Sequence, residues 1–286
     1  MPLELEDFDR LSANIPLIAN LQPSGKHFME DLFYAGGLPA VLKELKEILN
    51  NDSITVNGKP IGENYRNAQN YNDDVIGSVA DPFSDATGLA ILNGNLCENG
   101  AVIKPSAASG HLMKHTGKAV VFENIEDYKA RIDTDELEVD ESCVLVLKNV
   151  GPQGYPGMPE VGNMGLPKKL LEKGIRDMVR ISDGRMSGTG FGTVVLHVSP
   201  EAAAGGNFSV IEDGDMITLD MADRSLTVAV TDGELDRRKK NRTATPPVMD
   251  RGYVNLYINH VQQAHLGADM DFLRGKSGSD VPRDSH

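Results

Sequence analysis

The run Ile181-Ser182-Asp183-Gly184-Arg185-Met186-Ser187-Gly188-Thr189-Gly190-Phe191-Gly192 limits the possible folds of this chain more than any other. An apolar lead-in, Asp177-Met178-Val179-Arg180-Ile181, reads as a strand entering it, and Thr193-Val194-Val195-Leu196-His197-Val198 reads as a strand leaving it. Between them stand four glycines and the hydroxyls of Ser187 and Thr189, with little that packs a core. Glycine at that density lets backbone approach a ligand closely. A hydroxyl there donates, accepts or, once deprotonated, acts as a base. A plain surface turn between two strands accounts for the same residues. The spacing is not that of a dinucleotide fingerprint, and no Lys-Ser/Thr ending marks a phosphate loop, so both of those readings fail.

The 286 residues carry a formal net charge of −14, which argues against a nucleic-acid surface or an anionic membrane as partner. No apolar run reaches the roughly 20 residues that span a bilayer, and Met1-Pro2-Leu3-Glu4-Leu5-Glu6-Asp7 lacks the layout of a secretory signal. The expected compartment is the cytoplasm. The two cysteines, Cys97 and Cys143, form no CxxC pair and are too few for a disulfide framework.

Along the chain the texture changes once. Up to about Asn51 it reads as helical, with Ile15–Leu21 as a buried strand, Phe28–Ala35 as a helix stopped by Gly36-Gly37, and a helix from Pro39 to Leu49. Ser24-Gly25-Lys26 resembles the tail of a phosphate loop but lacks its first glycine. The polar, Asn-rich stretch from Asp52 to Asp74 reads as a connector. From Val75 onward short β-like runs alternate with Gly, Asn and Pro turns: Leu89–Leu92, Ala101–Lys104, Ala119–Phe122, Cys143–Leu147, Val179/Ile181, Thr193–Val198, Met216–Leu219 and Ser225–Val230. Three helices are expected among them, Asn124–Ile132, Pro167–Lys173 and the basic Glu234–Asn241, whose charge reads as a solvated face. The expected fold is therefore the end of an α/β domain (residues 1–70) followed by a mainly β, barrel-like domain with a few helices (71–286).

A second chemical stretch is Asn149-Val150-Gly151-Pro152-Gln153-Gly154-Tyr155-Pro156-Gly157-Met158-Pro159-Glu160, fed by the Val144–Leu147 run. A carboxylate on a rigid Pro/Gly loop suits a hard cation such as magnesium. The same Glu160 also suits the start of a following helix.

The segments Gly151–Glu160 and Ser182–Thr189 resemble the C-terminal signatures of the dihydroxy-acid and sugar-acid dehydratase family, as do Leu21–Lys26 and Gly94–Pro105. The likeness runs nearly end to end, and Lys148–Tyr155 together with Pro282-Arg283-Asp284-Ser285-His286 is closer to the sugar-acid branch. The resemblance implies a hydro-lyase that converts a 2,3-dihydroxy acid, here a pentonate with L-arabinonate the nearest substrate, into its 2-keto-3-deoxy acid. It implies an iron–sulfur cluster of the 2Fe-2S type as Lewis acid and a magnesium ion on the substrate. Ser187 matches the family's proposed base, Thr189 a substrate-orienting residue, Glu160 a magnesium ligand and His286 a late-closing contact. Family members are about twice as long, and their cluster cysteines belong to the N-terminal half. Cys97 and Cys143 match none of those positions, and Cys143 reads as core. The chain is thus expected to be the C-terminal portion, inactive alone, completed by an N-terminal half and homo-oligomeric when whole. The helices at its start are expected to leave an apolar face partly uncovered. Two other readings stay open: a dihydroxy-acid dehydratase of branched-chain amino-acid synthesis, and a non-catalytic barrel that binds a small anion or a protein.

Overall fold

The computed structural model describes residues 4–84, 88–243 and 249–275. The chain divides into two compact units. One is Met1–Ala90 with Lys104–Ala108 and Thr189–Phe191; the other is Ile91–Ile103, Ser109–Gly188 and Gly192–His286.

Among its described residues the first unit holds four short α-helices: α1 (Leu5–Ser12), α2 (Met29–Tyr34), α3 (Gly37–Glu44) and α4 (Ile61–Tyr65). Its small core gathers Ala35, Ala40, Val75 and Ile76, with Leu21, Leu32 and Val41 packed against them. The expected buried strand over Ile15–Leu21 is not formed. Leu17 and Ala19 make only isolated bridges, to Ser84 and Ile76, and of that stretch only Ile18 is buried. Pro16 carries no N–H for a ladder, and the partners are met residue by residue rather than as a neighbouring strand. α4 lies inside the stretch read as a connector. Phe28, Met29, Phe33, Tyr34 and Leu38 are all exposed, so the helices do show the uncovered apolar side chains expected of them.

Eight strands form a closed barrel: β1 (Ala90–Gly94), β2 (Cys97–Ile103), β3 (Lys114–Phe122), β4 (Val144–Leu147), β5 (Arg180–Ser182), β6 (Val194–Leu196), β7 (Met216–Asp220) and β8 (Ser225–Val228), in the order β1-β2-β6-β5-β4-β3-β7-β8. Each expected β-run is represented, and closure removes the free edges that an open sheet would expose. The barrel is mixed. β3, β4, β5 and β6 are mutually parallel, whereas β2/β6, β3/β7 and β7/β8 are antiparallel. Ser225 of β8 pairs with Asn93 of β1 to complete the circle.

Parallel strands covered on both faces read as continuous apolar runs, and Val144-Leu145-Val146-Leu147 is buried at every residue. Val121, Val146, Ile181 and Val195 pair in register across four adjacent strands and are all buried. The alternate residues Val120, Phe122, Leu145 and Leu147 pack with α5 (Ile125–Arg131), α6 (Lys168–Glu172) and Met164, Leu166 and Met178 in a second core layer. Asn124 caps α5 by accepting from the Asp127 N–H at 2.8 Å. Among the described residues two further α-helices belong to the unit, α7 (Asp232–Asn241) and α8 (Gly252–His260). α8 was not expected, because its apolar and polar residues do not segregate at helical spacing. Among the described residues no helix is long and apolar enough to cross a membrane.

Candidate active site

Because β4 and β5 are parallel neighbours in the register Leu147↔Ser182, the chain leaves both strands at the same end of the barrel. The Pro/Gly loop 148–160 and the Gly-rich loop 183–192 therefore emerge side by side, although 34 residues separate Leu147 from Ser182 in sequence. This is the general reason that ligand sites gather at the carboxyl ends of parallel strands.

The two loops meet through Arg185. Its Nη1 lies 3.1 Å from Glu160 Oε1, and its Nε donates to the Met158 carbonyl at 2.6 Å. Gly162 N–H donates in turn to the Arg185 carbonyl at 2.8 Å. Met158 is in the left-handed region at φ 46°, as is Asn149 at φ 56°, and a non-glycine residue is held there only by its surroundings. Arg185 and Glu160 are each about half exposed, which lets a solute reach the pair. Ser187, two residues beyond Arg185, is half-buried, and Thr189 is exposed; neither hydroxyl is sealed in the barrel wall. Thr189 groups with the first unit and Ser187 with the second. His286, the expected late-closing contact, lies outside the described residues.

Several groups that the sequence reading gave no role surround these loops. His197 sits at φ 55° just after β6, its N–H donating to the Gly184 carbonyl at 3.0 Å. Burial first, and the Arg185 cation second, hold its imidazole below the usual histidine range. Burial raises the phenol of Tyr257, on α8, and the Gly157 backbone works against the rise. Asp183 and Glu201 are both fully buried beneath the loops. Position in a motif was the only sequence signal for Arg185 and Asp183. Glu201, His197 and Tyr257 carried none.

Asp183 is pushed up to about 7, chiefly by burial and then by the nearby Glu201. The folded state thus holds a proton on Asp183 that an unfolded aspartate releases near pH 4. The resulting stabilisation is full below pH 4 and is lost as pH rises toward 7. Urea denaturation of wild type and Asp183→Asn across pH 4–8 should show a stability difference that changes through this window; a constant difference would contradict it.

Among the described residues neither expected cofactor finds a complete site. A cluster ligand must be a thiolate. Cys97 is buried at the start of β2 and Cys143 is buried just before β4, strands that are not neighbours in the barrel, so these two cysteines do not come together as cluster ligands. Among the described residues no three His, Cys, Asp or Glu side chains converge on a metal position. Glu160 fits as a single contribution to a magnesium site, being an anionic oxygen that already faces a cation and that solvent reaches. A separate cleft of about 430 Å³ on the second unit is lined by Lys148, Arg237, Arg238 and Arg242, and contains neither Ser187 nor Glu160. Its cations are engaged: Lys148 with Glu123 at 2.8 Å and Arg238 with Asp215 at 2.6 Å.

Comparison with known proteins finds relatives along nearly the whole chain. The C-terminal model of the dihydroxy-acid/6-phosphogluconate dehydratases matches residues 74–268, and the N-terminal model of the same family matches 1–64. The L-arabinonate dehydratase of Rhizobium leguminosarum bv. trifolii is 53% identical over 286 residues, covering 99% of this chain and 49% of that protein. The L-arabonate dehydratase of Azospirillum brasilense is 54% identical over 295 residues, covering 100% of this chain and 51% of that protein. A dihydroxy-acid dehydratase of Carboxydothermus hydrogenoformans is 39% identical over 274 residues, covering 93% and 48%. The chain spans about half the length of the curated relatives it matches. With both family models matched in order and relatives above 50% identity covering nearly all of it, the chain belongs to the dihydroxy-acid/6-phosphogluconate dehydratase family.

Proposed function

We propose that this chain is the C-terminal portion of a sugar-acid dehydratase, a hydro-lyase that turns a pentonate, with L-arabinonate the first choice, into its 2-keto-3-deoxy acid. The observation that carries the reading is the Arg185–Glu160 pair at 3.1 Å, which ties the serine loop to the carboxylate loop. The identity gap between the L-arabinonate relative at 53% and the dihydroxy-acid relative at 39% favours the sugar acid over the branched-chain substrate.

In this reading Ser187 Oγ, as its alkoxide, takes the proton from C2. The C–H electron pair forms the C2–C3 double bond, the C3 hydroxyl departs as water with a proton from solvent, Ser187 returns its captured proton to solvent, and the enol ketonises by protonation at C3 and loss of its hydroxyl proton. A serine hydroxyl is too weak an acid to supply an alkoxide unaided, so positive charge must stand near it. Arg185 is the cation that this chain brings to the loop. Thr189 would orient the substrate or Ser187 by hydrogen bonding. Glu160 would give magnesium one ligand; the bound ion would neutralise the substrate carboxylate and C2 oxygen. The iron–sulfur cluster and the other magnesium ligands would come from an N-terminal half, without which this portion would not turn over substrate. We take the whole enzyme to be cytoplasmic and homo-oligomeric.

The test is turnover by the complete enzyme carrying this chain as its C-terminal half. We expect kcat/KM for L-arabinonate to exceed that for 2,3-dihydroxyisovalerate by about 10²-fold or more, because a site built to hydrogen-bond hydroxyls rejects an analogue with methyls in their place. The opposite preference would return the chain to the branched-chain branch. Activity on neither, with the metals loaded, would favour the non-catalytic barrel.

A further inference from the structure

Two buried carboxylates lie under the candidate site with no Lys or Arg in ion-pair reach among the described residues. Asp183 Oδ1 accepts from the Val150 N–H at 2.9 Å, and its Oδ2 accepts from the N–H groups of Ala202 at 2.8 Å and Asn149 at 3.2 Å. Glu201 accepts from the Gln153 N–H at 3.0 Å and the Gly154 N–H at 2.9 Å, and from Gln263 Nε2 at 2.7 Å. Gln263 Oε1 accepts in return from the Glu201 N–H at 2.9 Å. Both residues are fully buried.

Burying carboxylates away from cations is costly unless hydrogen bonds satisfy them. Here the donors are all protein groups, and four of them are the backbone amides of one loop: Asn149, Val150, Gln153 and Gly154. That loop leads to Glu160, whereas Asp183 begins the loop that carries Arg185 and Ser187. The close approach depends on Gly151: a Cβ there would stand 2.7 Å from Glu201 Oε2 and 3.0 Å from the Glu201 Cβ.

We propose that Asp183 and Glu201 are positioning residues, a two-carboxylate clamp that holds the Glu160 loop and the Ser187 loop on one frame. The clamp itself is a statement about these loops. Its importance for turnover rests on the reading of Ser187 as the base.

Above pH 7, where Asp183 is mostly ionised, an amide in place of either carboxylate turns an NH2 group toward backbone N–H donors, so Asp183→Asn and Glu201→Gln keep the shape and break the acceptance, and the readouts below are taken there. Gln263→Ala removes only the outer support of Glu201 and leaves the buried carboxylates in place. Hydrogen exchange on the 286-residue chain is the first readout. In Asp183→Asn we expect the amides of Asn149, Val150 and Ala202 to exchange about tenfold faster, with those of β3 and β4 unchanged. In Gln263→Ala the increase should appear at Glu201, whose N–H loses its acceptor, and at Gln153 and Gly154, which decides the matter if Asp183→Asn does not fold. Unchanged exchange at these amides, or a uniform rise through the barrel strands, would overturn the clamp. The second readout is steady-state kinetics of the complete enzyme. Displaced loops should lower kcat of the Asp183→Asn and Glu201→Gln variants by about 10²-fold, with little change in KM. Local exchange as expected but wild-type kcat would overturn the positioning role. Should Ser187→Ala keep full turnover while the exchange pattern holds, the base assignment fails and the clamp between the loops remains.

Discussion

Ser187→Ala in the complete dehydratase should lower kcat by about three orders of magnitude, within the 10²–10⁴-fold range of a positioned general base. The side chain is half-buried on a loop, so losing one oxygen opens no core cavity and the melting temperature should hold. KM should change little, because the interaction removed belongs to the transition state. The pairing of Arg185 with Glu160 at 3.1 Å would be untouched, leaving the loop in place without its oxygen. Stopped-assay measurement of the keto acid beside a thermal melt separates the two effects. Turnover within a few-fold of wild type would rule Ser187 out as the base, and His197, whose N–H donates to the Gly184 carbonyl of the same loop, would become the next group to test.

The largest effect on stability is expected where the Gly-rich loop rejoins the barrel. Asp177 and Arg180 form a buried ion pair at 2.9 Å, with both side chains almost wholly inside. Asp177 also accepts from the Thr193 hydroxyl at 2.7 Å and from the Thr193 N–H at 2.9 Å. Arg180 donates to Asn163 Oδ1 at 2.9 Å and to the Met164 carbonyl at 2.8 Å. Removing one partner of such a pair leaves the other charge buried and uncompensated, so Asp177→Ala should cost about 3–5 kcal/mol. That is a large fraction of the roughly 5–15 kcal/mol that holds a domain together. Gly192→Ala attacks the same pair by shape. Its φ is +105°, and an added Cβ would fall 1.9 Å from Arg180 Nη2 and 2.6 Å from Asp177 Oδ1. Urea denaturation should place both variants well below wild type; a loss under about 1 kcal/mol in either would mean that the ion pair yields more easily than its burial implies.

Much of the barrel was legible from local pattern. The run Val144–Leu147 announces a strand covered on both faces, and Asn124 ahead of Ile125 announces a capped helix, because burial and capping leave their marks within a few residues. The motifs around Glu160 and Ser187 were legible as well, through resemblance. The strand expected at Ile15–Leu21 was misread because an apolar run reports burial, not the presence of a partner strand; only Ile18 of that run is buried, and its neighbours make single bridges. α8 was missed because its apolar residues do not fall on one face.

Sequence by itself determined which residues could carry chemistry: a hydroxyl between glycines, a carboxylate after prolines, and a barrel to bear them. Only the tertiary structure decided that the two loops are neighbours, that Arg185 joins them, and that Asp183 and Glu201 tie down the amides between them. Side-chain type and short-range spacing act along the chain, where a sequence can be read. Strand order and parallel register bring Leu147 beside Ser182 through hydrogen bonds across the barrel, and no local pattern encodes which pair will meet.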